Sequence, residues 1–170
     1  ITQVGFSIES DEANSGSLIL NYLTFTGEPN CKFSKPNHIG KHKRGVKFSN
    51  AKMWKASWVD ALDKWDSGER TFRVGKDRGR GMLITGTDLW KNYKVTSEIA
   101  IQRVKTGGLA ARVQGLNRYY GLVINASNKL QLIKVINEPK VLKDIDFDLE
   151  YYKDYKLSLK VEDNKLTGYL

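Results

Sequence analysis

Arg112, Gln114, Arg118, Tyr119 and Tyr120 crowd into one short stretch, Leu109-Ala110-Ala111-Arg112-Val113-Gln114-Gly115-Leu116-Asn117-Arg118-Tyr119-Tyr120. Planar guanidinium and amide groups beside flat rings are a usual means of holding a sugar or a nucleotide, by stacking and bidentate hydrogen bonds. The Gly115–Arg118 segment reads as a turn between two strands. Strand alternation then points Leu109, Ala111 and Val113 to a core and sets Arg112 and Gln114 on the opposite, wet face. Of the two tyrosines, one ring faces inwards and the other outwards, beside Arg112. Trp90 and Tyr93 either extend that surface or belong to the core. The competing reading is a girdle of cation–π contacts and hydrogen bonds that only stabilises the sheet.

Carboxylates supply a second candidate chemistry. In Asp144-Ile145-Asp146-Phe147-Asp148-Leu149-Glu150 the acids alternate with apolar residues, so a strand there puts all four on one face. Sandwich-fold glucanases carry a comparable strand, one carboxylate serving as nucleophile and another as general acid about 5–5.5 Å away. The order differs here, because Asp144 stands where the nucleophilic Glu of such enzymes belongs. Adjacent carboxylates also suit calcium as hard oxygen ligands. A charged edge strand that discourages sheet-to-sheet pairing needs no ligand at all.

The charge is uneven. Of 28 Lys and Arg residues, eight lie in residues 29–59, which hold no acid, and the rest of the chain has 20 bases against 19 acids. Such a run, with Lys41, Lys43 and Arg44 at its centre, either contacts a polyanion through screened Coulomb attraction or is a solvated linker. His38 and His42 are four apart within it, but Gly40 lies between them and no nearby acid or cysteine supplies a third zinc ligand, so no metal is expected. Gly79-Arg80-Gly81 faintly resembles a phosphate or RNA loop, although turn chemistry accounts for the glycines. No nucleophile elbow, Walker loop or dinucleotide fingerprint is present.

The elements that must position these residues are strands. Leu18–Phe25, Tyr93–Ile101, Leu109–Gln114, Tyr119–Ile124, Leu130–Val135, Tyr155–Glu162 and Leu166–Leu170 are β-prone and separated by turn signals. Asn125-Ala126-Ser127 matches a glycosylation acceptor but reads as one of those turns. Short strands at this spacing predict an all-β, two-sheet antiparallel sandwich. Trp54, Trp58, Leu62 and Trp65 recur at helical spacing, which predicts a short helix around 53–65, or else a loop pinned by tryptophans. The expected organisation is a strand pair in 1–30, either the end of a preceding jelly roll or part of the same sandwich, a basic linker in 31–52, and a sandwich in 53–170 that is cut short at its C-terminal end.

Composition narrows the classes. The 170 residues are 40% hydrophobic with a formal charge of +9, enough apolar material for one domain's core. No apolar run approaches the roughly 18 residues of a membrane helix, and the start at Ile1 lacks a signal-peptide pattern. The missing initial Met suggests a piece of a longer protein. A single cysteine, Cys31, excludes an internal disulfide framework and leans towards a reducing, cytoplasmic compartment.

Gly108 to Gly115 followed by Arg118-Tyr119-Tyr120 resembles the β-sandwich region C-terminal to the helical catalytic domain in long bacterial ADP-ribosylglycohydrolase-family proteins. Met53-Trp54, Trp58-Val59, Gly79-Arg80-Gly81, Gly86-Thr87, Trp90, Tyr93 and Leu130, Leu132, Lys134 fit the same order. The likeness spans about residues 4–168 and rests on the order of short motifs. Residues 16–25 are similar to the closing strand of a sugar-binding jelly roll. The later strands look concanavalin-like, a fold shared with laminin-G-like domains and many carbohydrate-binding modules. The parent family hydrolyses ADP-ribose linkages with a magnesium pair held by helical aspartates. Nothing here matches those residues, so no catalytic or metal role is carried over. The resemblance implies a non-catalytic accessory sandwich without a cofactor, partnered by the parent's catalytic domain and by a glycan or ADP-ribosyl ligand. The alternatives are a glycosidase-like enzyme using the 144–150 acids and a purely structural interaction domain.

Overall fold

A computed structural model describes residues 3–10, 16–27, 31–33, 58–67, 72–87 and 90–170. They form strands β1 (Gln3–Ser10), β2 (Gly16–Gly27), β3 (Cys31–Phe33), β4 (Val59–Asp60), β5 (Lys64–Ser67), β6 (Phe72–Lys76) and β7 (Gly79–Thr85). There follow β8 (Tyr93–Gln102), β9 (Thr106–Val113), β10 (Arg118–Asn125), β11 (Lys129–Ile136), β12 (Glu138–Asp146), β13 (Asp154–Glu162) and β14 (Lys165–Tyr169). Two antiparallel sheets make a β-sandwich. The first has the order β12-β11-β10-β9-β1-β7-β4; the second runs β14-β13-β8-β2-β6-β5, with β3 also paired to β2.

Alternation builds both layers. In β8, Tyr93, Val95, Ser97, Ile99 and Ile101 are buried while Lys94, Thr96, Glu98 and Gln102 are half-exposed. The inner faces meet in a core that includes Phe6, Ile8, Leu18, Leu20, Val95, Ile99, Leu109, Leu122, Ile124, Leu157 and Leu159. A second, smaller cluster lies on the other face of the first sheet: Met82, Ala110, Val113, Tyr119, Val123, Ile133 and Val135. Its placement follows from β10, where Val123 stands between core residues Leu122 and Ile124.

The first two strands are interior members of these sheets, not a separate pair. β1 lies between β7 and β9, and β2 lies between β8 and β6. Cys31–Phe33, placed in the linker by sequence, extends the second sheet against Leu23–Phe25.

The helix expected around 53–65 is not formed over its described part, 58–65. Val59 and Asp60 pair with Ile84 and Leu83 in the first sheet, and Lys64–Ser67 pair with β6 in the second. The chain therefore crosses from one layer to the other, and both layers draw on its aromatics. Trp58 stacks on Phe6 with ring centroids 6.1 Å apart, while Leu62 and Trp65 pack against the core from the crossing. Spacing that mimics one helical face comes from two strands entering one core from opposite sides. Asp63 fixes the crossing by accepting from Lys76 Nζ at 2.8 Å and from the Asp77 N–H at 2.7 Å. Those bonds hold its carboxyl below the usual carboxylate range.

Candidate functional site

The β9–β10 hairpin carries the predicted residues, and one irregularity sets where they point. Gln3 lies opposite Val113 and Gly5 opposite Ala110, so Ala111 and Arg112 together face the single residue Val4. This is a β-bulge. Arg112 within it has φ 50°, a left-handed conformation that costs a non-glycine residue about 1–2 kcal/mol. The extra residue shifts the alternation: Leu109 and Ala111 enter the inter-sheet core, whereas Val113 joins the second cluster on the other face. The expected grouping of Val113 with Leu109 and Ala111, opposite Arg112 and Gln114, is corrected accordingly.

Tyr93 of the opposite sheet secures the bulge. The Arg112 N–H donates to the Tyr93 hydroxyl at 2.9 Å. Burial pushes the Tyr93 phenol up to about 12, outweighing that hydrogen bond and the Arg112 charge, which both act to lower it. Trp90 stands edge-on to Tyr93 with centroids 6.3 Å apart, and both residues are buried. Of the two readings for Trp90 and Tyr93, the structure gives the core.

The turn is pinned from outside. Gln114 N donates to Arg118 O at 2.8 Å and Arg118 N to Gly115 O at 3.2 Å, with Gly115 at φ 138°. Arg80 Nη1 donates to Leu116 O at 3.1 Å and Asn117 Oδ1 at 3.2 Å, so the Gly79-Arg80-Gly81 motif serves a neighbouring turn. The same guanidinium lies 5.8 Å from the centre of the Tyr119 ring, and the Tyr119 hydroxyl shares a 3.1 Å hydrogen bond with Ser7. Tyr119 is thus the packed tyrosine of the pair, and burial raises its phenol.

Tyr120 is the available one. It pairs with Lys134, and both fall in step with Leu122 and Leu132, on the core-facing side of the first sheet beyond the end of the core. Lys134 Nζ stands 5.9 Å from the Tyr120 ring centre. Around this pair lies an open cleft of about 260 Å³ bordered by Arg112, Gln114, Arg118, Tyr119, Tyr120, Lys134, Val135 and Ile136. The site is therefore at the rim of the sandwich and not on a flat outer face. Among the described residues three cations line it and no acid does, and no carboxylate pairs with Arg112, Arg118 or Lys134. A ring, an amide and three cationic donors can stack a planar or sugar group and hold an anion.

Lys134 and Ile136 were missed by the sequence reading. The signal was available, because the alternation Leu130, Leu132, Lys134, Ile136 places them beside Tyr120 once the turn at 126–128 fixes the register. That turn contains the glycosylation-like triplet. Asn125 Oδ1 accepts from Ser127 N at 3.1 Å and Lys129 N at 3.2 Å, as expected of a turn residue.

Of the four carboxylates only Asp144 and Asp146 share a strand face; Asp148 and Glu150 lie beyond the end of β12. β12 spans 138–146 and its pairing with β11 ends at Lys129–Asp146, after which Phe147 N and Leu149 N bond to Asn128 and the chain folds inwards. Phe147 packs edge-on to Tyr155 at 5.0 Å. Lys129 Nζ contacts Asp146 at 2.5 Å and Asp144 at 3.9 Å, and Glu150 is paired with Lys153. The Lys129 hydrogen bond and charge lower the Asp146 carboxyl, away from what a general acid needs. Lys41, Lys43, Arg44, His38 and His42 lie outside the described residues. Among the described residues no group of three or more His, Cys, Asp or Glu side chains is placed to hold a metal ion.

A more apolar gap of about 280 Å³ opens between β12 and β14, lined by Leu122, Leu130, Leu132, Ile145 and Leu166 among others. No protein-family model matches this chain, and neither a curated protein nor a solved structure does.

Proposed function

We propose that this chain is a non-catalytic ligand-recognition sandwich that binds glycan or ADP-ribosyl groups at the Tyr120 cleft. In this reading it is an accessory module of an ADP-ribosylglycohydrolase-like protein and works beside that protein's catalytic domain. The observation that carries the binding reading is the cleft itself: a half-exposed ring with three cations that no carboxylate among the described residues neutralises, beside a strained bulge. Retaining such strain is common where a side chain must be aimed at a ligand. The order of the short motifs from Gly79 to Lys134 supports the link to the accessory region.

A stacked ring and one charge-assisted hydrogen bond contribute about 2–4 kcal/mol together, which corresponds to millimolar affinity or weaker for a single contact pair. The test is a calorimetric titration of the 170-residue chain with neutral oligosaccharides, ADP-ribose and poly(ADP-ribose). Saturable binding that Tyr120→Ala abolishes is the expected result. Absence of binding across the panel, or binding that Tyr120→Ala leaves intact, contradicts the proposal.

A further inference from the structure

Resting on the recognition reading above, we infer that the cleft selects a ring bearing an anionic phosphoryl or sulfate group over any neutral glycan. The inference comes from charge accounting at the site. Arg112, Arg118 and Lys134 border one cleft, and among the described residues neither Asp nor Glu lines it. Elsewhere on the surface four lysines reach acids: Lys76 to Asp63, Lys129 to Asp144 and Asp146, Lys153 to Glu150, Lys160 to Glu162; the cleft differs in gathering three cations at one place. Holding three cations together without a counter-charge among the described residues works against folding, because like charges repel, and the contact of Lys134 with the Tyr120 ring offsets only part of this. A neutral sugar would leave that repulsion in place on binding, and a single carboxylate would offset only part of it. A diphosphate, with two negative charges, offsets most of it, and phosphoryl and sulfate groups alike present several oxygens that accept from more than one donor at once.

The donors also differ in how they are held. Arg112 stands on the bulge locked by Tyr93, and Arg118 follows the turn that Arg80 pins. Lys134 lies over the ring face, where it completes the anion site from the stacking side. A ring on Tyr120 thus brings a substituent anion towards two guanidinium groups whose backbone attachment points are held, which favours bidentate recognition of phosphoryl or sulfate oxygens.

The experiment compares matched probes on the whole chain by calorimetry: ADP-ribose against adenosine, and a sulfated disaccharide against the same disaccharide unsulfated. Inorganic pyrophosphate serves as competitor. The expected result is at least tenfold tighter binding of one charged probe than its neutral partner, with displacement by pyrophosphate and weakening as salt rises. Whether ADP-ribose or the sulfated sugar is the tighter charged probe distinguishes the phosphoryl from the sulfate source. Arg112→Gln and Lys134→Gln should each lower the charged-probe affinity about tenfold, with a melting temperature no lower than that of the unaltered chain confirming that the fold persists. If neutral probes bind as tightly as charged ones and still depend on Tyr120, the charge selection is wrong while the recognition reading stands. If no probe binds, the recognition reading falls and this inference falls with it.

Discussion

Arg112 shows why single residues repay attention in a sandwich whose sheets are otherwise regular. Its left-handed backbone is an expense that glycine would avoid. Arg112→Gly should therefore be more stable than Arg112→Ala by about 1 kcal/mol, while both lose ligand binding. Urea unfolding of the two variants checks this, and equal stabilities would mean that the bulge carries no strain. Tyr93 offers a pH test at the same place. Its phenol is pushed up to about 12 in the folded chain by burial, whereas an unfolded tyrosine ionises near 10. The folded state keeps the proton through that window and the unfolded state loses it, so stability falls as pH rises from about 10 to 12, by roughly 2–3 kcal/mol in all. Tyr93→Phe should be about 1 kcal/mol less stable at neutral pH, where the bond to Arg112 N is lost, and should show a smaller alkaline decline. Unfolding curves at neutral and alkaline pH measure both. The sequence brought Arg112, Gln114, Arg118 and the tyrosine pair to one place correctly, but not the face, because a bulge leaves no mark on the hydrophobic pattern until its partner strand is known.

At the level of elements, close strand approach sets the strictest demand. A Cβ on Gly108 of β9 would lie 2.1 Å from the Leu122 carbonyl oxygen and 2.8 Å from the Val123 Cα of β10, both backbone atoms. Gly108→Ala should cost about 3 kcal/mol, since the hairpin must part to admit it. Gly79→Ala, with open space but φ 71°, should cost only about 1 kcal/mol. Denaturant midpoints for the two variants test that ranking. The long alternating strands were legible because each buries one face: β8 and β13 show the pattern along most of their length. β12 was not, because every one of its residues is exposed and its Pro139, Lys140 and Lys143 hide a strand behind polar chemistry. The segment from Trp58 to Trp65 misled for the opposite reason: its apolar spacing is real, but two layers and not one helix face receive it.

Across the whole molecule, the +9 charge combines two features, the acid-free run at 29–59 and the cleft. If the run contacts a polyanion, binding to poly(ADP-ribose) weakens steeply with salt, and replacing Lys41, Lys43 and Arg44 by Gln reduces the logarithmic salt slope by about 2 to 3. An unchanged slope would leave those residues a linker. The cleft has a separate signature, because it joins a ring to three cations at the end of the first sheet, away from the apolar gap between β12 and β14. Sequence-assigned amide NMR during titration with ADP-ribose reads that location directly. The account predicts saturable shifts concentrated in residues 112–120 and 134–136, absent in Tyr120→Ala. Shifts centred instead on 143–145 and 166–168, or none beyond those that added salt alone produces, would contradict it.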